Sequence, residues 1–180
     1  MKIIETKILD LKIIEPTIFK DDRGYFFESY SYGILKDLGI DCVFLQDNES
    51  KSQKGVLRGL HFQKQPFSQA KLVRVINGSV LDVVVDIRKE SPTFGEHISV
   101  ELSETNKKML FVPEGFAHGF LTLENDTVFS YKCSNYYHKE SERSIIWNDK
   151  TLAIDWGILD PIVSEKDRLA PNFLEIIKEL

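Results

Sequence analysis

Apolar positions along this chain fall in short runs of β-branched and aromatic residues, each closed by a turn signal. The stretch 24–30 carries Tyr25, Phe26, Phe27 and Tyr30. Lys71 to Ile76 runs into Asn77-Gly78, a hairpin signal, and 79–87 follows with Val80, Leu81, Val83, Val84 and Val85. Further strands are predicted over 42–46, 56–63, 97–102, 108–112, 119–123, 128–133 and 143–146. A strand about every ten residues is the pattern of an all-β sandwich or barrel.

Helical periodicity is scarce. A short helix is predicted over 32–38, stopped by Gly39 as a C′ glycine. Ser164 can cap a short turn over 165–167. The tail 173–180 reads as a small amphipathic helix with Leu174, Ile177 and Leu180 on one side. No repeat, low-complexity tract or Pro/Ser-rich linker interrupts the pattern. One β-rich domain over residues 1–180 with short helical ends is expected.

Composition narrows the partners. The chain has 180 residues, 42% hydrophobic and 28% charged, with 23 Lys+Arg against 28 Asp+Glu for a net charge of −5. It is long enough to bury about 70% of its unfolded surface without staples. The acidic balance argues against tracking a nucleic-acid backbone or an anionic membrane surface. Cys42 and Cys133 lie far apart with no Cys-x-x-Cys pair, and are expected to be reduced and partly buried. Charge comes too early at the N-terminus for a signal peptide, and no apolar stretch approaches the ~18 residues of a membrane span. A cytoplasmic protein is expected.

Two segments carry unusual chemistry. In Gly55-Val56-Leu57-Arg58-Gly59-Leu60-His61-Phe62-Gln63, an arginine and a histidine sit among apolar residues. Strict alternation puts Arg58 and His61 on opposite faces, whereas a bulge at Gly59 aims both into one cavity. An exposed face with a hydrogen-bonded histidine fits the segment as well. In Pro113-Glu114-Gly115-Phe116-Ala117-His118-Gly119-Phe120, a tight turn presents His118 at the head of a strand.

Together these segments resemble the paired motifs of the cupin superfamily. Two departures matter: Gln63 stands where a second metal histidine belongs, and Lys71 where a glutamate belongs. A protonated lysine cannot ligate a divalent metal, so no metal is expected. Histidine, lysine and tyrosine without a metal suit proton abstraction beside a carbonyl. His61 suits the base, Lys71 the clamp on the developing enolate, and Tyr131 the acid that reprotonates carbon from the other face. Asp82 and Asp86 are four apart on one strand face, and structural pairing with arginines such as Arg74 or Arg88 is expected of them.

Along nearly its whole length the chain resembles the dTDP-4-dehydrorhamnose 3,5-epimerase family. The matching stretches are 19–29, 46–48, 55–61, 71–74, 86–88, 91–95, 113–120 and 145–149. The resemblance implies a double-stranded β-helix, the cupin jelly roll, assembled as a homodimer that uses neither metal nor organic cofactor. It implies epimerisation at C3 and C5 of dTDP-4-dehydro-6-deoxy-D-glucose to dTDP-4-dehydro-L-rhamnose, in the deoxyhexose branch of polysaccharide synthesis. By position, His61 is the base, Tyr131 the acid and Asp167 the carboxylate that orients the histidine, with Lys71 and His118 against the sugar near its carbonyl. Arg23, Arg58 and Lys166 match diphosphate or sugar contacts, and Phe26 a further substrate contact. Glu28, Gln46, Asn48 and Glu142 match hydrogen-bonding positions, and Tyr137 the aromatic stacked on thymine, with Tyr136 the alternative one position away. A sister enzyme acting at one centre, or a non-catalytic cupin that binds a sugar nucleotide, shares most of these features.

Overall fold

Thirteen strands and three short helices are laid out by a computed structural model that describes residues 1–180. In chain order they are β1 (Lys2–Glu5), β2 (Lys12–Glu15), β3 (Phe19–Asp21), β4 (Gly24–Phe26), α1 (Tyr32–Asp37), β5 (Gln46–Ser52), β6 (Leu57–Gln63), β7 (Lys71–Asn77), β8 (Ser79–Asp86), β9 (His97–Ser103), β10 (Met109–Val112), β11 (Phe116–Thr122), β12 (Thr127–Cys133), β13 (Glu142–Ser144), α2 (Glu165–Arg168) and α3 (Phe173–Ile176). Six strands form one antiparallel sheet in the order β1-β2-β10-β7-β12-β5. Five form a second in the order β13-β6-β11-β8-β9, and β3 and β4 make a separate hairpin. This is the jelly roll that the cupin motifs imply.

The core lies between the two sheets. Val73, Val75, Leu110 and Phe129 of the first meet Val80, Val84, Phe116 and Phe120 of the second, all buried. Each sheet is also covered outside. Leu57, Val83, Val85 and Leu121 pack under Leu152, Trp156, Phe173 and Ile176 of the C-terminal segment, and Leu72 and Met109 pack under Leu35 and Ile40. Burial on both faces explains why β8 reads as a near-continuous apolar run. Its two carboxylates, Asp82 and Asp86, share the inward-facing parity of Val80 and Val84.

The structure moves several sequence expectations. Asn77-Gly78 does not close a hairpin: β7 pairs with β10 and β12, β8 pairs with β9 and β11, and the turn carries the chain from one sheet to the other. Gly78 has φ +78, and a Cβ there would strike Thr127 Oγ1. The strand expected over 42–46 begins only at Gln46, because Cys42 and Phe44 are spent packing against the Leu35–Ile40 cluster. From there β5 is an edge strand paired with β12 alone, turning Gln46, Asn48, Ser50 and Ser52 inward and Asp47, Glu49 and Lys51 out. The tail helix is only four residues long, and it buries Phe173 and Ile176 while Leu174 points to solvent. Its start is set by a capping box between Asn172 and Glu175. Strands β1 and β2, both Lys-Ile-Ile-Glu, escape the sequence pattern altogether. Cys42 and Cys133 are free thiols, the second buried.

Candidate active site

A bulge in β6 builds the site. His61 pairs with His118 and Arg58 with Phe120, so three steps along β6 oppose two along β11. The extra residue reverses the alternation, and Arg58 and His61 line the same hollow. Only glycine can sit at the crossing. Gly59 has φ +129, and a Cβ on it would lie 2.5 Å from Gly119 Cα, while one on Gly119 would lie 2.8 Å from the Arg58 carbonyl oxygen.

That hollow, of about 510 Å³, also receives Lys71, His118, Phe129, Tyr131, Lys166 and Asp167. A second, of about 360 Å³, is lined by Gln46, Asn48, Gln63, Gln69, Cys133, Tyr137 and Glu142, and shares His61, Lys71 and Tyr131 with the first. The two are lobes of one cleft, and the three shared side chains stand where they join. His61 comes from the five-stranded sheet and Tyr131 from the six-stranded one, so they enter from opposite walls.

His61 Nε2 is 2.6 Å from Asp167 Oδ1, and the Asp167 side chain is only 4% exposed. Asp167 sits in α2, whose first turn is capped by the Ser164 hydroxyl accepting from the Asp167 amide. Burial acts to raise the Asp167 carboxyl, but its hydrogen bonds, led by the one with His61 and joined by the Gly59 amide, hold the group below its ordinary range. An ionised Asp167 accepts a hydrogen bond from the Nε2–H of the imidazole, and in that tautomer Nδ1 keeps the free lone pair a base needs. Burial raises the Tyr131 phenol, keeping it protonated. Burial also lowers the Lys71 ammonium, which makes no hydrogen bond or ion pair with the protein.

His118 carries a second carboxylate. Its Nε2 lies 3.0 and 2.9 Å from the two Asp82 oxygens, both side chains being buried. The arginine expected to pair with Asp82 is therefore not its partner: Phe120 stands directly opposite Asp82 on β11, and His118, two residues away opposite Val84, reaches it diagonally on the same inward face. Asp86 does hold Arg88, at 2.8 Å.

The other lobe is a hydrogen-bonded chain. Glu142 Oε2 accepts from the Tyr137 hydroxyl at 2.8 Å and from Lys166 Nζ at 2.5 Å. Gln46 Oε1 accepts from the Tyr137 amide, and Gln46 Nε2 donates to Asn48 Oδ1. Arg58 Nε donates to Ser52 Oγ. Tyr137 lines the cleft, and Tyr136 is 63% exposed outside it.

Three expected residues stay apart. Arg23 bonds to Asp21 within the β3–β4 hairpin, and Arg23 and Phe26 line a separate hollow with Phe19 and Tyr25. Glu28 follows that hairpin and lines neither lobe. Conversely, the sequence reading missed Ser50, Ser52 and the structural use of Gln63. The two serines continue the inward parity of Gln46 and Asn48, a signal available once β5 is placed correctly. Gln63, at the cupin metal position, spends its carboxamide on backbone groups, and no group of three or more His, Cys, Asp or Glu is disposed around a metal site.

The profile of the dTDP-4-dehydrorhamnose 3,5-epimerase family matches residues 5–175. The chain belongs to this family. A member from Salmonella typhimurium is 53% identical over 173 residues, covering 95% of this chain and 94% of its own. The crystal structure of the Elizabethkingia anophelis epimerase superposes with a TM-score of 0.93 at 52% identity, covering 97% of each chain. The Legionella pneumophila 3,5-epimerase, solved in complex with dTDP-4-keto-L-rhamnose, gives 0.94 at 51% identity over 99% of this chain and 95% of that one. In this epimerase scaffold, the cleft brings His61 from one wall together with Lys71 and Tyr131 from the other.

Proposed function

We propose that this chain epimerises C3 and C5 of dTDP-4-dehydro-6-deoxy-D-glucose, giving dTDP-4-dehydro-L-rhamnose. The observation that carries the reading is the entry of His61 and Tyr131 from opposite walls, with Lys71 at the same junction. His61 takes the proton from C3 or C5, and the C–H electron pair moves into the enolate whose oxygen is the former C4 ketone. Lys71 stabilises that oxyanion. Tyr131 gives its hydroxyl proton to the opposite face of the carbon, inverting it, and proton exchange with solvent resets both groups. Both carbons flank the ketone, so one set of residues serves each in turn.

In this reading the lobe with Tyr137, Glu142, Gln46 and Asn48 takes the thymidine, and Arg58 and Lys166 the diphosphate, with charge-assisted bonds. Asp167 and Asp82 orient His61 and His118. Arg23, Phe26 and Glu28 reach a neighbouring copy's cleft in a homodimer. What supports this is that they line no part of their own, while Phe19 (61%), Tyr25 (57%) and Phe26 (65%) are left bare on the hairpin. No helix is long and apolar enough to cross a membrane, and we place the reaction in the cytoplasm.

Incubation with dTDP-4-dehydro-6-deoxyglucose in D2O, followed by NMR, tests the reading. Deuterium at both C3 and C5 is expected. Label at a single carbon assigns a single-centre epimerase, and no label at either overturns the proposal.

A further inference from the structure

Three glutamines converge on one loop beside the cleft. Gln69 Nε2 donates to the Asn135 carbonyl at 2.7 Å, Gln63 Nε2 to the Tyr136 carbonyl at 3.2 Å, and Gln46 Oε1 accepts from the Tyr137 amide at 3.1 Å. Gln63 Oε1 accepts from the His138 amide at 2.7 Å. Four consecutive residues, Asn135 to His138, are thus each held by a glutamine carboxamide through a backbone group. Gln63 is the hub, since its second N–H donates to the Phe67 carbonyl at 2.6 Å and it is only 7% exposed. It joins the 64–70 loop to the 135–138 loop, and the rings of Phe67 and His138 stack beside it at 3.7 Å with 5° between planes.

We propose that Gln63 is a positioning residue for nucleotide recognition: it fixes in advance the loop that presents Tyr137 to the cleft. The inference rests on the reading that this lobe takes a nucleotide base. All three hydrogen-bonding directions of Gln63 that meet protein are spent on the backbone, so its effect reaches the ligand through Tyr137. A loop ordered before binding loses less conformational entropy when the base arrives, and that difference appears in affinity. The reacting groups His61, Lys71 and Tyr131 sit on strands and not on this loop, so the barrier to proton transfer is set elsewhere.

Glutamate is the informative replacement, because it keeps the shape of Gln63 but puts an acceptor oxygen in place of the Nε2 that donates to the Phe67 and Tyr136 carbonyls. Titration of dTDP into Gln63→Glu should show affinity weakened roughly tenfold, within the range set by one base–aromatic stack. KM for the sugar nucleotide should rise in step, with kcat falling less than about twofold. In a Tyr137→Ala background the same change should cost almost nothing more. Gln69→Ala, which removes one bond at the edge of the clamp, should weaken dTDP by about threefold and carries the test if Gln63→Glu does not fold. Unchanged dTDP affinity in the folded variants, a loss confined to kcat, or an equal loss with and without Tyr137 overturns the clamp alone. A wild-type protein that binds no dTDP overturns it together with the functional reading.

Discussion

His61 Nε2 and Asp167 Oδ1 meet at 2.6 Å across 106 positions of sequence. The contact joins a strand of the five-stranded sheet to a four-residue helix near the C-terminus, so His61 is oriented by an element laid down late in the chain. Asp167→Asn should lower kcat by about 10²-fold or more, and His61→Ala should match or exceed it, since positioned proton transfer contributes roughly 10²–10⁴. Deuterium uptake into substrate measures both. A variant of Asp167 within twofold of wild type would remove it from the mechanism.

Tyr131→Phe should separate the two half-reactions. Abstraction by His61 persists and hydrogen exchange at the reacting carbons continues on the His61 face, while formation of the inverted product drops about 10²-fold. Because burial raises the Tyr131 phenol above its usual ~10, its ionisation should impose no fall in rate below about pH 9. Undiminished turnover in the phenylalanine variant would assign the acid to another group.

The proposal that Arg23, Phe26 and Glu28 reach a neighbouring copy's cleft predicts complementation. Arg23→Ala and His61→Ala homodimers should each be poor catalysts, but unfolding and refolding them together creates mixed dimers with one site intact on both counts. About a quarter of wild-type activity should return, the value for one good site in half of the dimers. A mixture no better than the average of its parents would place Arg23 and His61 in the same subunit's site or leave Arg23 without a role.

Acid sensitivity has a specific source away from the cleft. The buried Asp86 carboxylate would be raised by desolvation, yet the Arg88 guanidinium and amide with the Ser91 and Thr93 hydroxyls bring it down to about 2. Its folded pKa lies below the unfolded value of ~3.9. The stabilisation, on the order of 2.5 kcal/mol, is therefore complete well above pH 4 and lost as pH falls toward 2. Urea midpoints should show Asp86→Asn less stable than wild type at pH 7 by about that amount, with roughly half of the difference left at pH 3. A gap that does not shrink with acid would assign the loss to packing.

The strands that face apolar neighbours on both sides were legible from their runs of Val and Leu, as in β7 and β8. Those whose inner face is polar were not. Strand β5 presents Gln46, Asn48, Ser50 and Ser52 to the lumen, and such a strand carries no hydrophobic period to read. The preceding apolar residues, Cys42 and Phe44, drew the prediction toward them while serving another cluster. Local turn chemistry also misled at Asn77-Gly78, where the dipeptide supplies the required φ but tertiary pairing decides which strands it joins. Within the site, the bulge at Gly59 was legible only as one of two options, because two polar residues three apart fit a bulge or an exposed face equally well. The histidine–carboxylate pairs were not readable from spacing, since each joins distant segments through the closure of the sheets. Resemblance supplied Asp167, and nothing in the sequence assigned Asp82 to His118.

The contact of Gly59 with Gly119 has a bearing on how this fold can be diversified. Neither residue has a side chain with which to meet a substrate, yet any replacement at either pushes β6 off β11 and turns Arg58 and His61 away from a common chamber. In a saturation library these two positions should therefore be as intolerant as His61 itself. A survey ranked by fitness alone would count them as reacting groups, whereas an alanine scan of cleft-facing side chains would never visit them. Redirecting the enzyme to another sugar leaves the chamber walls open to change, but the seam between the two glycines has to be inherited whole.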